Sequence, residues 1–172
     1  KGYSCSLINS RFVKPMDEEV LRRMAKTHKL FVTIEEGVTT IGAYAFWNDS
    51  ESGNCCNVST ITLPSTITTI GKSAFRYYEN LESINIPEGV TSIGEYAFYN
   101  CTSLESIELP DTLTYLGGEA FYNARRLKTI KLSSNLAEIR GSTFEYCVRL
   151  KSIEIPDSVT RIGGHAFYSN NS

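Results

Sequence analysis

The 172-residue sequence predicts a solenoid of stacked coils, with a parallel β-sheet along one face and irregular turns along the other. Five phenylalanines are equally spaced along the chain, one in each successive repeat: Phe75, Phe98, Phe121, Phe144 and Phe167. Each lies in nearly the same phrase, as in LESINIPEGVTSIGEYAFYNCTS at 81–103 and LESIELPDTLTYLGGEAFYNARR at 104–126. A short alternation of apolar residues closed by proline, typical of a short strand, recurs in most of these phrases.

The strand opens each repeat. The apolar residues that open one repeat are Leu81, Ile84 and Ile86, and the last two are spaced two apart, as in a strand with one buried side. A proline follows at this point in four repeats, at Pro64, Pro87, Pro110 and Pro156. Because proline lacks the N–H that would continue a hydrogen-bonded ladder, we expect each strand to end there.

The rest of the repeat is expected to return to the strand side without a second regular strand. Val90, Ile93 and the Ala97-Phe98 pair are spaced more widely than in a strand. A three-residue step favours a turn or a 3₁₀-like arm, so each coil should combine one strand, one turn and an irregular return.

A glycine follows the second apolar pair in five repeats, where a positive φ would turn the chain back: Gly42, Gly71, Gly94, Gly117 and Gly163. Arg140 takes this place in the fifth repeat, so a positive φ there is either dispensable or strained. The fifth repeat also has Ser133 in place of proline and Thr143 in place of alanine. We expect it to be the least regular coil.

A single coil cannot cover its own apolar residues, so the coils must stack. At the parallel-strand spacing of roughly 4.7 to 4.9 Å, like residues of successive coils form ladders. The phenylalanines, beginning with Phe46, are expected to form the main buried column.

Residues 30–172 are predicted to form six repeat units behind a separate N-terminal segment, residues 1–29. In that segment PMDEEVLRRMAKTHK has apolar residues at Met16, Val20, Leu21 and Met24, with acids first and bases later. This pattern predicts a short amphipathic helix that caps the first coil. A polar insertion around 49–54 separates the first two units. The sixth unit ends without a cap, which indicates either a longer natural protein or self-association through the exposed last coil.

The phrase IPEGVTSIGEYAFYNCTSLESI resembles the BspA-type leucine-rich repeat, a 23-residue class of bacterial and protozoan surface proteins. Its proline, glycine, Ala-Phe pair and following Cys or Asn recur at fixed offsets over roughly residues 30–172. The resemblance implies a leucine-rich-repeat solenoid, a secreted or cell-surface location, and a role in binding or adhesion. It supplies no catalytic residue.

The cysteines are expected to be mostly buried thiols. Cys55, Cys101 and Cys147 each lie three residues before the first apolar residue of the next repeat, so they form one column in alternate coils. Two coils separate neighbours in this column by roughly 10 Å, beyond the Cα separation of about 7 Å that limits a disulfide. Cys5 and Cys56 are left either to pair or to stay free, and the odd total of five leaves at least one free thiol.

Composition and motifs argue against several function classes. The net charge is −2 and no long run of like charges occurs, which disfavours nucleic acid as a partner. No apolar run approaches the roughly 18 to 20 residues of a membrane-spanning helix. His28 and His165 lie far apart and no C-x-x-C occurs, so neither a metal nor another cofactor is expected. The sequence shows no nucleophile beside a base, no pair of carboxylates in a pocket and no glycine-rich phosphate loop, so nothing in it indicates an enzyme.

The outward strand positions form the first candidate binding surface, a hydroxyl-rich and weakly charged face. Its candidate contact residues are Thr60, Ser83, Asn85, Glu105, Ser106, Glu108, Lys128, Thr129, Lys131, Ser152 and Glu154. Glu105 should lie beside Lys128, and Glu108 beside Lys131. This face is either a solvated sheet with charge pairs worth about 0 to 1 kcal/mol each, or a surface that receives a protein or glycan partner.

Aromatic residues around the phenylalanine column form a second candidate surface. Trp47, Tyr77, Tyr99 and Tyr122 are candidate partner contacts, with Tyr44, Tyr96 and Tyr168 in the same set. Tyrosine and tryptophan suit this role because they add large rigid area with a polar group. The alternative is that they are partly buried and cover the outer arm.

The sequence therefore predicts a non-catalytic binding or adhesion module that presents a rigid surface to a protein or glycan. The alternative is a structural spacer or stalk that holds other domains away from the cell surface. A third class, a hydrolase acting on surface polymers, would require a pocket with convergent acids, which the sequence does not indicate.

Overall fold

The computed structural model describes residues 30–47 and 58–170, which form a β-solenoid. The strands are β1 (Leu30–Thr33), β2 (Thr40–Ile41), β3 (Val58–Thr62), β4 (Thr69–Ile70), β5 (Ser83–Asn85), β6 (Ser92–Ile93), β7 (Ser106–Glu108), β8 (Tyr115–Leu116), β9 (Thr129–Lys131), β10 (Glu138–Ile139) and β11 (Arg161–Ile162). The helix predicted within residues 1–29 and the polar insertion around 49–54 lie outside the described residues.

Parallel strands line one side of the solenoid, which we call the strand face. Strands β1, β3 and β5 form one sheet, and β7 and β9 form another. The register places equal repeat positions side by side, with Thr60 opposite Ser83 and Ser106 opposite Thr129. The prediction of a parallel sheet on one face is confirmed.

The repeat pattern predicts a strand in the sixth unit as well, but the sheet on the strand face does not extend into that unit. Residues 151–156 form no strand. Ile155, which replaces the buried Leu132 of the preceding coil, is 38% exposed. Within the described part of the chain this coil has a neighbour on one side only, so fewer contacts hold its backbone in the extended form.

The return side of each coil contains a second strand, which contradicts the prediction of turns or a 3₁₀-like arm alone. The two-residue strands β2, β4, β6 and β8 form a parallel sheet, and β10 and β11 form another. We call these sheets the return ladder. In it Ile70 lies beside Ile93, and Ile93 beside Leu116. Two extended residues per coil are too few to show an alternating pattern, so hydrogen bonds between coils define this strand.

The turn around each phenylalanine carries a third set of bonds between coils, here called the turn ladder. The N–H of Phe75 donates to the carbonyl oxygen of Ala97 at 2.8 Å, and Phe98, Phe121 and Phe144 make the same bond at 2.8 to 2.9 Å. Residues two before and two after the phenylalanine donate in the same direction. Bonds between coils thus occur at three places around the solenoid, with breaks between β5 and β7 and between β8 and β10.

Non-glycine residues with positive φ shape this turn. Within residues 30–47 and 58–170, eleven of them have φ between 53° and 64°. They form one column two residues before the phenylalanine and another two residues after it: Tyr44, Ser73, Tyr96, Glu119, Ser142 and His165, then Tyr77, Asn100, Asn123, Tyr146 and Ser169. This conformation costs roughly 1 to 2 kcal/mol per residue, and the turn-ladder hydrogen bonds that it permits offset that cost.

The prediction that the repeat glycines supply the positive φ is therefore wrong. Among described glycines only Gly37 and Gly89 have a positive φ. What Gly71 and Gly94 provide is space, because a Cβ on Gly94 would lie 2.5 Å from the backbone nitrogen of Lys72, and one on Gly71 would lie 2.6 Å from that of Ala43. A side chain at this position would push adjacent coils apart.

Arg140 shows the consequence. In the regular coils the N–H of Gly94 donates to Ile70 and that of Gly117 donates to Ile93, at 2.8 and 2.9 Å. The equivalent bond from Arg140 to Leu116 is missing, and β8 and β10 belong to separate sheets. The fifth coil thus interrupts the return ladder, while the turn ladder continues past it through Phe121 and Phe144.

Two other departures in the fifth coil are accommodated by local hydrogen bonds. Ser133, which replaces proline, is fully buried and donates its hydroxyl to the carbonyl oxygen of Leu113 at 2.7 Å. Thr143, which replaces alanine, donates to the carbonyl oxygen of Arg140 at 2.8 Å. Because both buried hydroxyls are satisfied, the coil keeps its core despite its polar substitutions.

The phenylalanine column forms the centre of the core, as predicted. Phe75, Phe98, Phe121 and Phe144 are fully buried. Neighbouring rings of the column, from Phe46 to Phe167, stack nearly parallel with centroids 5.3 to 5.7 Å apart. Leucine and isoleucine ladders fill the space between this column and the strands.

Cys101 and Cys147 are buried free thiols, as predicted. Each sulfur lies within hydrogen-bonding distance of the carbonyl oxygen of a phenylalanine in the preceding coil, Cys101 at 3.3 Å from Phe75 and Cys147 at 3.2 Å from Phe121. Burial raises the pKa of both thiols, that of Cys147 to about 12. Cys5, Cys55 and Cys56 lie outside the described residues.

Candidate binding surfaces

An open groove of about 590 Å³ lies on the strand face. Isoleucines that point inward form its floor, and polar side chains at the third and fifth repeat positions form its surface. Those polar residues are Thr60, Thr62, Ser83, Asn85, Ser106, Glu108, Thr129 and Lys131. Most of them had been predicted as contact residues, since strand residues two apart point to the same side.

The remaining predicted contact residues of this face lie beside the groove. Glu105 and Lys128 are about half exposed and form an ion pair, with 2.8 Å between Oε2 and Nζ. The hydrogen bond from Lys128 lowers the pKa of the Glu105 carboxyl. Ser152 and Glu154 are exposed but do not line the groove, because the sixth unit has no strand at this position.

Charge along the groove changes from coil to coil. Glu108 lies opposite Lys131 in the strand register, yet among the described residues these two side chains form no ion pair. Their charges therefore remain available to solvent or to a partner. The first half of the groove is uncharged, with Thr60 Oγ1 3.5 Å from Ser83 Oγ.

A row of aromatic rings follows the turns on another side of the coil, which we call the tyrosine face. It consists of Tyr77, Tyr96, Tyr99, Tyr122, Tyr146, His165 and Tyr168. The rings of Tyr99 and Tyr122 stack at 4.7 Å, and those of Tyr122 and Tyr146 meet edge to face at 5.3 Å. The row continues from coil to coil because its side chains occupy recurring positions of the repeat.

Three of the four predicted aromatic contacts lie in this face. Tyr77, Tyr99 and Tyr122 are half-buried, whereas Trp47 is 47% exposed and packs edge to face on Tyr44. Burial is the main cause that raises the pKa of Tyr99 and of Tyr122. These rings are therefore partly buried against the outer arm, and contact with a partner through their accessible edges stays a prediction.

Arg76 lies within the tyrosine face, a feature that sequence reasoning missed. Its guanidinium carbon is 4.7 Å from the ring centroid of Tyr99, 5.0 Å from that of Tyr77 and 5.4 Å from that of Tyr96. Such distances are typical of cation–π contacts. The signal was in the sequence, because the residue after each phenylalanine of the column is either aromatic or charged.

The described residues contain no group of three or more His, Cys, Asp or Glu arranged to hold a metal ion. Within residues 30–47 and 58–170, no helix has the length and apolar character needed to cross a membrane.

Comparison with known proteins separates the chain into two regions of similarity. The N-terminal part, residues 1–75, matches the model of the transketolase C-terminal domain. A curated relative, 1-deoxy-D-xylulose-5-phosphate synthase of Lachnoclostridium phytofermentans, is 51% identical over 37 residues, which are 22% of this chain and 6% of the synthase. The chain thus spans less than a tenth of the length of the curated relatives that it matches.

Solved structures resemble the solenoid. The pneumococcal vaccine antigen PcpA is 27% identical with a TM-score of 0.67, over 84% of this chain and 39% of that one. A leucine rich cell surface protein of Faecalibacterium prausnitzii shares the fold at 24% identity with a TM-score of 0.52, over 87% of this chain and 54% of that one.

A family model covers most of the chain. The model of the BspA type leucine rich repeat region matches six copies within residues 49–172. The constant repeat interval, the stacked phenylalanines and the parallel strands agree with that match. The chain belongs to the BspA-type leucine-rich repeat family.

Proposed function

We propose that this chain is a non-catalytic binding or adhesion module whose strand face receives a protein or glycan partner. The observation that carries the proposal is the groove of about 590 Å³ on that face. It is open and lined by hydroxyl, amide and charged groups that no other part of the described chain covers. Leucine-rich repeats are generally non-enzymatic, which is consistent with this function.

Rigidity supports the same proposal. The coils are joined by the continuous turn ladder and by a column of stacked phenylalanines, and most neighbouring coils are also joined by the strand-face sheets or the return ladder. A surface held in this way changes little on contact, so less conformational entropy is lost when a partner binds. Affinity would come from many weak polar contacts along the groove.

The chemistry of the groove favours a partner with many hydrogen-bonding groups. Thr60, Ser83, Asn85 and Thr129 offer donors and acceptors without net charge. Glu108 and Lys131 add one charge of each sign. Both a glycan and a polar protein loop fit this mixture.

A secreted or cell-surface location is part of the proposal. The family supports it, as does the likeness to a vaccine antigen. The likeness to a cell surface protein at 24% identity is a likeness of fold only. We also propose that the solenoid begins at residue 30, where β1 starts, although the match to the transketolase domain spans this boundary.

Self-association through the last coil is a further proposed partnership. Ile155 and Ile162 of the sixth unit are 38% and 52% exposed. A second copy that covered them would remove this apolar surface from water. Light scattering of the purified chain, compared with an Ile155→Ser, Ile162→Ser variant, tests this proposal, and a parent that is monomeric at all concentrations contradicts it.

The main test uses an array of immobilised glycans and extracellular proteins. A variant with serine at Glu105, Glu108, Lys128 and Lys131 should lose the signals of the parent chain and keep its melting temperature. The matched control replaces four exposed charges away from the groove, at Glu36, Glu88, Arg125 and Arg161, with serine and should bind like the parent. Equal binding by all three proteins, or none by the parent, contradicts a strand-face site.

The spacer function is the alternative. It is favoured by the unbroken phenylalanine column, which runs from Phe46 to Phe167 and would hold a fixed length without any ligand. For a spacer, the serine variant would retain full function in the parent protein, whereas removal of one whole repeat would impair it. For a binding module, the serine variant would lose function, whereas removal of a repeat outside the groove would impair it less.

A further inference from the structure

Glu145 occupies the repeat position that Arg76 occupies three coils earlier. The rings around Arg76 belong to the next residue of the chain, Tyr77, and to two residues of the following coil, Tyr96 and Tyr99. The equivalent positions relative to Glu145 hold Tyr146, His165 and Tyr168. The repeat therefore places aromatic residues at the same three positions twice, once relative to a cation and once relative to an anion.

The aromatic surroundings of Glu145 are closely packed on one side and open on the other. The centroids of Tyr122 and Tyr146 are 5.3 Å apart, and those of Tyr146 and Tyr168 are 6.0 Å apart. His165 and Tyr168 lie 5.4 Å apart and are both exposed, Tyr168 by 54%. A side chain from outside can thus approach past His165 and Tyr168.

The Glu145 carboxylate has no partner in the described part of the chain. Glu145 is only 8% exposed, yet within the described residues its side chain makes neither an ion pair nor a hydrogen bond. Nor does any cation of the described chain lie over Tyr122, Tyr146 or Tyr168. Its carboxylate oxygens are not fully buried, so a cation from outside can reach them and supply the partner that the described chain does not.

Two carboxylates act on the tyrosine rings of this face. Burial first, and then the Glu145 carboxylate, raises the pKa of Tyr122. Glu119, on the same face, raises the pKa of Tyr96. These carboxylates favour a cation at the tyrosine rings, whose faces already carry negative electrostatic potential.

We propose that Glu145, Tyr122, Tyr146 and Tyr168 bind an arginine side chain of a partner protein. The planar guanidinium would stack on the tyrosine rings and donate to the Glu145 carboxylate, as a compact ammonium ion cannot do equally well. Arg76 supplies the internal precedent for a guanidinium at this repeat position. The site is independent of the strand-face groove, because the two surfaces share no residue.

The test uses N-acetyl-arginine methylamide as the probe and NMR of the isotope-labelled 172-residue chain. We expect saturable shifts of the backbone amides of Glu145, Tyr146 and Tyr168, at millimolar probe. The neutral, nearly isosteric citrulline compound should leave these signals unchanged. Equal shifts with arginine and citrulline overturn the proposal, as does an absence of shifts with arginine. Equal or larger shifts with N-acetyl-lysine methylamide overturn the assignment to arginine.

Variants locate the site. Glu145→Gln keeps the shape and removes the charge, so probe affinity should fall about tenfold, whereas the exposed control Glu88→Gln should bind like the parent. Tyr168→Ala removes an exposed ring, leaves the core intact and should also weaken probe binding. This variant tests the site even if a Glu145 variant does not fold. Parent-like affinity in Tyr168→Ala or in folded Glu145→Gln overturns the proposal.

A third variant uses the internal precedent directly. Glu145→Arg should place a guanidinium among Tyr146, His165 and Tyr168, raise the melting temperature and abolish probe binding. A folded Glu145→Arg protein that still binds the probe with parent affinity contradicts the proposed site. Because the array experiment concerns the strand face, each proposal can fail without the other.

Discussion

Phe98 and Phe121 stack with their ring centroids 5.3 Å apart and their planes 3° from parallel. Both rings are fully buried between neighbours of the same column. Replacing either with alanine should therefore lower the free energy of unfolding by about 3 to 5 kcal/mol. Denaturant unfolding of each variant measures this loss.

The half-buried Phe167 is the matched control for that measurement, because it has a phenylalanine neighbour on one side only within the described chain. Phe167→Ala should cost clearly less. Equal losses at Phe98 and Phe167 would show that stacking on both sides does not contribute as proposed.

The role of the repeat glycines is tested by adding one methyl group. Gly94→Ala should destabilise the chain by about 1 to 3 kcal/mol, because the new Cβ would lie 2.5 Å from a backbone nitrogen of the preceding coil. Gly164→Ala is the control, since a Cβ there meets nothing within 4 Å and the residue has no positive φ. Thermal melting compares the two. If both variants lose equal stability, close approach between coils is not the reason for glycine.

Arg140→Gly should restore the return ladder between the fourth and fifth coils. Removing the side chain allows the N–H at position 140 to reach the carbonyl oxygen of Leu116, as Gly117 reaches Ile93 at 2.9 Å. Hydrogen exchange should show new protection of that amide. Arg140→Ala, which also loses the contact of Arg140 with Tyr115 but keeps a Cβ, should gain none. Protection in both variants, or in neither, would refute a steric origin of the break.

Cys101 and Cys147 should be inert in the folded chain. A variant with serine at Cys5, Cys55 and Cys56 leaves these two thiols for a chromogenic thiol reagent. A free thiol has a pKa of about 8.5, so its reaction accelerates between about pH 7 and 9. Since burial raises the pKa of Cys147 to about 12 and that of Cys101 further, both should stay protonated over that range and react only on unfolding. Labelling of the native chain at the rate of the denatured chain would contradict their burial.

The raised thiol pKa values also have a consequence for stability. A group whose pKa is higher in the folded state favours folding below its unfolded pKa of about 8.5 and loses that contribution as pH rises. The free energy of unfolding should therefore decline above about pH 8.5, and Cys101→Ala should reduce this decline.

The repeat period predicted the parallel strands, the phenylalanine column and the buried thiols. These features follow from residues that are alike in most coils, so stacking similar units already determines their neighbours. The same reasoning identified most of the groove residues, because strand positions two apart share a side. It did not predict the return ladder, since two extended residues such as Ser92 and Ile93 show no alternation.

The misassigned glycines and the missed Arg76 have a common cause. The sequence suggests a positive φ at Gly94, but glycine is needed there because the backbone of Lys72 in the preceding coil leaves no room for a Cβ. Arg76 was an isolated charge in the sequence, and only the packing of Tyr77, Tyr96 and Tyr99 shows why it is tolerated.

The sequence by itself determined the repeat interval, the side of each strand that is buried and the family. The tertiary structure alone decided where positive φ lies, which hydrogen bonds join the coils, where Arg140 interrupts them, and that Glu145 has no partner among the described residues. The physical reason is that a repeat pattern specifies which residues are equivalent, whereas distances between backbones and the pairing of charges depend on how closely one coil can approach the next.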